Sequence, residues 1–66
     1  MIDARTSLAR SIEALVERGR AGDRLPAERD LAERFGVGRA AVRKALSELG
    51  EAGRIVTHAQ AGSFIR

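Results

Sequence analysis

With 66 residues and no cysteine, the chain can hold one domain with one small hydrophobic core, and no disulfide or thiolate-bound metal can support it. It has no apolar run that could span a bilayer and no signal-peptide pattern, which predicts a soluble protein of the cytoplasm. The net charge of +3 lies entirely in residues 39–66; this asymmetry suits a polyanionic partner, although +3 is also ordinary for a soluble surface.

The first predicted element is an amphipathic helix. Its apolar face, spaced as one side of a helix, consists of Leu8, Ile12, Leu15 and Val16. Thr6 or Ser7 is predicted to cap its start, and Gly19 and Gly22 are predicted to end it. Residues 1–5 are expected to be a disordered end of the chain.

An extended link and a second helix follow. Residues 24–26 are predicted to be extended, because the residue before a proline is disfavoured in the helical region, and Leu25 would point into the core. The second helix should run from about Ala27 to Phe35. Its core face would comprise Leu31, Ala32 and Phe35. Gly36 should end it in the left-handed conformation, and Val37 should fill the turn that follows.

The third predicted helix, from about Arg39 to Ala52, is ended by Gly53 and has an uneven distribution of charge. Its apolar stripe comprises Val42, Ala45, Leu46 and Leu49. Its exposed side is basic and then acidic, with Arg39, Arg43 and Lys44 followed by Glu48 and Glu51. The helix dipole favours the opposite order, so this arrangement indicates a functional site. Two helices joined by a glycine-containing turn are typical of a helix-turn-helix.

The C-terminal residues predict a β-hairpin. Residues 54–58 are rich in β-branched side chains and predict a strand, residues 59–62 a loop, and residues 63–66 a second strand. Because a two-stranded hairpin is not stable alone, Ile55 and Phe64 are expected to pack on the helices. The predicted fold class is therefore α+β: a three-helix winged helix-turn-helix with a C-terminal two-stranded β-hairpin wing.

A family resemblance is carried by two motifs, GDRLPAERDLAERFGVGRAAVRKALSELGEAGRI and AGSFI. Over about residues 8–66 the chain resembles the N-terminal winged helix-turn-helix of the GntR family of bacterial transcription regulators, and its ending is more similar to the FadR-like branch. The resemblance implies sequence-specific binding of double-stranded DNA, with helix 39–52 in the major groove and wing 54–66 near the minor groove.

The same resemblance implies a homodimer, an inverted-repeat operator and a further domain beyond the 66 residues. Family members bind inverted-repeat operators as homodimers, and a larger domain after the wing binds a small-molecule effector. Residues 1–66 would then be the DNA-binding domain alone, either excised from a regulator or a short natural protein.

The resemblance also assigns contacts to DNA. By position these are Arg29 in the second helix, Gly38, Arg39, Ala40, Ala41 and Arg43 at the start of the third helix, and His58 and Gly62 in the wing. The arginine assignments have a physical basis, because a guanidinium group can pair bidentately with O6 and N7 of guanine.

Five departures from the family pattern affect these contacts, and one of them is Ala41 in place of a common threonine. Ala27 replaces the serine that usually caps the second helix, and Gly38 replaces a serine or threonine before the third. In the wing, Gln60 stands where glycine is usual and Ala61 where a basic residue is usual. We therefore expect the recognition helix to supply more of the affinity than the wing.

Other classes of function have weaker support. A winged helix can serve as a protein–protein interaction module without binding DNA, but arginines gathered on one face favour DNA. Only His58 could act as a base near neutral pH, and it has no neighbouring metal ligands, so no catalytic, cofactor or metal site is expected. RNA binding would need aromatic platforms, and Phe35 and Phe64 are both expected in the core.

Overall fold

The computed structural model describes residues 4–58 and 60–66. Its elements, in chain order, are α1 (Ala4–Arg18), α2 (Glu28–Phe35), α3 (Arg39–Glu51), β1 (Ile55–His58) and β2 (Gly62–Ile65). The two strands pair antiparallel. This order confirms the predicted three-helix winged helix-turn-helix with a C-terminal hairpin. None of the described helices is long and apolar enough to cross a membrane.

The start of α1 differs from the prediction. The helix begins at Ala4, so the predicted cap at Thr6 or Ser7 is wrong, and two of the five residues expected to be disordered are helical. Residues 1–3 lie outside the described residues. The end of the helix agrees with the sequence, because α1 stops at Arg18 and Gly19 then donates backbone hydrogen bonds back into its last turn.

The turn between α2 and α3 forms as the sequence predicts. Gly36 follows the last residue of α2 with φ 65°, a left-handed conformation that glycine adopts without steric cost. The amide of Val37 donates to the carbonyl of Ala32 at 3.0 Å, which satisfies one of the free carbonyls at the helix end. Val37 is half-buried against the core and fills the turn.

Buried side chains from all five elements form one hydrophobic core among the described residues. Its largest fully buried side chains are Ile12, Leu31, Val42 and Ile55, so each helix and the first strand contribute one. The apolar stripe predicted for α3 is buried in full. Burial of one such side chain stabilises the fold by roughly 1.5–3 kcal/mol, which a hairpin without the helices could not obtain.

The second strand presents a different face to the core than predicted. Ile65 pairs with Ile55 and is buried, whereas Phe64 pairs with Val56 and is only half-buried on the opposite face. Successive side chains of a strand point to opposite sides, so burial of Ile65 excludes Phe64 from the core. The Phe64 ring instead lies 5.8 Å from the ring of His58.

The link before α2 is joined to the hairpin by one isolated β-bridge. Arg24 forms an antiparallel bridge with Phe64. Leu25 donates to the carbonyl of Ser63, and Ile65 donates to the carbonyl of Asp23, both at 2.8 Å. Leu25 is buried, as predicted. These bonds attach the wing to the link between α1 and α2.

The wing loop contains the one described non-glycine residue with a positive φ, Gln60 at 65°. A side chain in this conformation costs roughly 1–2 kcal/mol, and glycine does not bear that cost. Glycine also raises the conformational entropy of the unfolded chain, which offsets part of this gain. We therefore expect Gln60→Gly to raise the free energy of unfolding in urea by about 1 kcal/mol. Ala61→Gly, which has no positive φ to relieve, is the control, and an equal gain from it would contradict this explanation.

Candidate nucleic-acid interface

An open cleft of about 530 Å³ lies between the first turns of α2 and α3 and the wing. The residues that line it include Arg24, Arg29, Arg39, His58, Gln60 and Gly62. The left-handed turn at Gly36 brings the starts of α2 and α3 together, and the pairing of β2 with the link brings the wing beside them. The surface is therefore assembled from three segments that are distant in sequence.

The cleft is positively charged and its charges are not neutralised from within. The side chains of Arg24, Arg29 and Arg39 are exposed. Within residues 4–58 and 60–66, none of the three lies in an ion pair with an acid. Arginine is suited to phosphate because its planar fork can donate two parallel hydrogen bonds. The arrangement favours an anionic ligand that spans the gap between α3 and the wing.

Among the described residues, Glu28 is the one acid that lines the cleft, and Arg43 engages it. Arg43 donates from Nε and Nη2 to the two carboxylate oxygens of Glu28, at 3.3 and 3.1 Å. The hydrogen bonds that Arg43 donates to Glu28, and then the negative charge of that carboxylate, raise the pKa of Arg43. The Arg43 side chain remains 66% exposed, so its guanidinium group is held in place and is still accessible.

The N-termini of both helices of the motif lack a side-chain cap. Ala27 and Gly38 occupy the N-cap positions in extended conformations, and neither makes a side-chain hydrogen bond to the first turn. This agrees with the departures read from the sequence. Amide groups at a helix start without an internal acceptor, together with the helix dipole, form a favourable site for phosphate.

The structure distributes the predicted contact residues over two adjoining surfaces. Four of them line the cleft, namely Arg29, Arg39, His58 and Gly62. Ala40 and Arg43 line the neighbouring exposed face of α3, together with Lys44, Ser47, Glu48 and Glu51. Gly38 is exposed at the start of α3, whereas Ala41 is half-buried and packs against the core.

Two arginines have positions that the sequence pattern did not reveal. Arg24 lines the cleft and was not among the predicted contacts, because only the pairing of its segment with β2 brings it to the wing. Arg54 contributes to the basic C-terminal half in sequence but contacts Glu13 and Glu17 of α1, each at 3.7 Å. It connects the base of the wing to the first helix.

The chain matches a family model described as bacterial regulatory proteins, gntR family, over residues 4–65. It is also similar to solved structures of the AraR N-terminal domain in complex with a mutant operator ORR3, at 25% identity and TM-score 0.92, covering 100% of this chain and 97% of that chain. The DNA-binding domain of AraR in complex with operator ORX1 has the same identity and TM-score, with 100% and 82% covered. No curated protein was found to match.

Two longer proteins contain a similar domain. YydK of Bacillus subtilis, described as a possible transcriptional regulator, is 28% identical with a TM-score of 0.91, and the match covers 98% of this chain and 29% of YydK. PhnF of Mycobacterium smegmatis is 34% identical with a TM-score of 0.81, and the match covers 88% of this chain and 25% of PhnF. The chain therefore spans less than a third of either protein.

The ion pair between Glu28 and Arg43 gives a prediction about side-chain order. Glu28→Gln should leave the urea midpoint nearly unchanged, because an exposed ion pair contributes little to stability. It should make the Arg43 Nε–H group more mobile, which a lower heteronuclear NOE would report. Glu33→Gln, a change at an exposed acid of the same helix, serves as control. Equal order of Arg43 in all three proteins would mean that Glu28 does not hold it.

Proposed function

The chain belongs to the GntR family of bacterial regulatory proteins, and on that premise we propose that it binds double-stranded operator DNA as the reading domain of a transcription regulator. The observation that carries the proposal is the cleft where Arg24, Arg29 and Arg39 meet without acidic partners among the described residues. Solved structures of AraR domains with operators, similar to this chain over its whole length, support the same function.

The geometry suggests how the domain would read a duplex. The start of α3 would enter the major groove, where Arg39 and Arg43 can pair with guanine edges. The acidic second half of the exposed face of α3, with Glu48 and Glu51, would then lie away from the phosphates. Arg29 and the uncapped amides would bind the phosphate backbone, which sets the position of the helix without reading sequence.

The wing would approach the adjacent minor groove. Gly62 and His58 occupy its side of the cleft, and the wing loop, Gln60 to Gly62 among the described residues, has no lysine or arginine. The minor groove distinguishes mainly A·T from G·C, so little sequence information is expected from this contact. The FadR-like branch stays a prediction, which rests on the ending of the motif from Arg43 to His58.

Several finer assignments are part of the proposal. We expect a homodimer and an inverted-repeat operator for the full-length regulator, with a small-molecule effector bound by another domain. The short share of YydK and PhnF that the chain matches is consistent with such an additional domain. A non-enzymatic role and a cytoplasmic location follow from the proposed partner and stay predictions.

Selection of bound duplexes from a random pool, followed by a salt titration, tests the function directly. Enrichment of a common sequence, with affinity that falls steeply as salt rises, is the expected result. A domain that enriches no sequence and shows no salt-dependent affinity for any duplex would contradict DNA binding. It would favour the winged helix as a protein–protein interaction module instead.

We predict that one copy of the domain binds a half-site weakly. It has one reading helix and a wing with few contacts, so most of the affinity of a dimer would come from linking two such copies. Joining two domains by a flexible linker that spans an inverted repeat should raise affinity by about 10²–10⁴-fold. Fluorescence anisotropy with single and inverted half-sites measures this. Sub-nanomolar binding of one half-site by the monomer would contradict it.

The arginines should differ in what they contribute. Arg39→Ala and Arg43→Ala should relax base preference and weaken binding about tenfold or more, because each removes a bidentate base contact. Arg54→Ala should weaken binding mildly and equally on all sequences, since Arg54 contacts α1. Repeating the selection with each variant provides the measurement. A changed base preference for Arg54→Ala but not for Arg43→Ala would mean that α3 is oriented wrongly in this proposal.

A further inference from the structure

Arg24 is fixed to the wing by its backbone. It forms the bridge with Phe64, and the residues on either side of it exchange backbone hydrogen bonds with β2. Its position therefore depends on the wing, although in sequence it lies between α1 and α2. A side chain held in this way can act as part of the wing.

The guanidinium group of Arg24 lies directly against the backbone of Gly62. A Cβ atom built on Gly62 would be 2.8 Å from Nε of Arg24, 3.3 Å from Nη2 and 3.4 Å from Cζ. The first of these distances is shorter than real Cβ contacts allow, so any other residue at this position would displace the arginine. The glycine at position 62 thus leaves room for Arg24, in addition to permitting the φ of 111° found there.

The charge of Arg24 is available to an external anion. The side chain is exposed, and within residues 4–58 and 60–66 it has neither an acidic partner nor a hydrogen-bond acceptor. It lines the same cleft as Arg29 and Arg39. The wing loop itself provides no lysine or arginine between residues 59 and 65, so Arg24 is the arginine seated on the wing loop.

We propose that Arg24, seated on Gly62, binds a phosphodiester of the DNA backbone at the edge of the wing. This inference rests on the proposed function, and it goes beyond it by assigning the contact to a residue of the α1–α2 link. The contact would replace the positive charge that the wing loop lacks at Ala61. Because a phosphate carries no sequence information, Arg24 would add affinity and salt dependence without base preference.

The test uses the 66-residue chain and the duplex enriched by selection, with affinity measured at several salt concentrations. Arg24→Gln should weaken binding severalfold on all sequences and reduce the slope of log affinity against log salt by about 0.9, the value for one phosphate contact. Arg24→Lys should keep the slope. Arg10→Gln, at an exposed position of α1, is the control for loss of one charge and should keep both affinity and slope.

Gly62→Ala provides a second measurement. It should weaken binding like Arg24→Gln, and the double variant should be little weaker than either single variant, since both remove the same contact. Urea unfolding of each variant verifies that the fold is retained. Fully additive losses of affinity in folded variants would overturn the role of Gly62 in leaving room for Arg24.

The outcomes separate this inference from the function on which it rests. If Arg24→Gln keeps the affinity and slope of the original chain while Arg39→Ala weakens binding, the proposed function stands and the phosphate contact is overturned. A loss of affinity with an unchanged slope would also overturn it, because a purely structural role removes no charge contact. If the original chain binds no duplex, both proposals fail together.

Discussion

The burial of Ile55 against the helices is the contact on which the position of the wing depends. Ile55 is 1% exposed and lies in one core with Ile12, Leu31 and Val42. Two strands alone do not form a stable hairpin, so this contact, with Ile65 opposite Ile55 and Leu25 hydrogen-bonded to Ser63 of β2, turns a weak element into a fixed one. Only a fixed wing can form one wall of a cleft whose other wall is the start of α3.

The arginines of the protein differ in whether an acid of another element engages them. Arg43 and Arg54 are engaged by acids of other elements, whereas Arg24, Arg29 and Arg39 have no acidic partner among the described residues. Net charge does not distinguish these groups, because Arg54 belongs to the basic C-terminal half yet supports α1. The convergence of exposed arginines on one cleft is therefore a better indicator of the interface than the charge of a segment.

Much of this arrangement could be predicted from the sequence, since it depends on local rules. The helices were predicted from the periodicity of apolar residues, and the turn was predicted from Gly36. Neither prediction needs information about distant residues. The inward face of β2 could not be predicted, because a four-residue strand with apolar neighbours at 64 and 65 fits either register until Ile55 selects one. The position of Arg24 beside the wing and the pairing of Arg43 with Glu28 could not be predicted for the same reason, since both depend on contacts between separate elements.

The pairing of the α1–α2 link with β2 also determines how the domain would bear a mechanical load. Gly22, Asp23 and Leu25 exchange backbone hydrogen bonds with residues 63–65, and the amide of Arg66 donates to the carbonyl of Arg54. A pull on the chain at residue 66 would strain these bonds first, before any tension reached α3. Tension on the C-terminal strand would therefore deform the wing and the seat of Arg24, which form one wall of the cleft, before it deformed the recognition helix that forms the other.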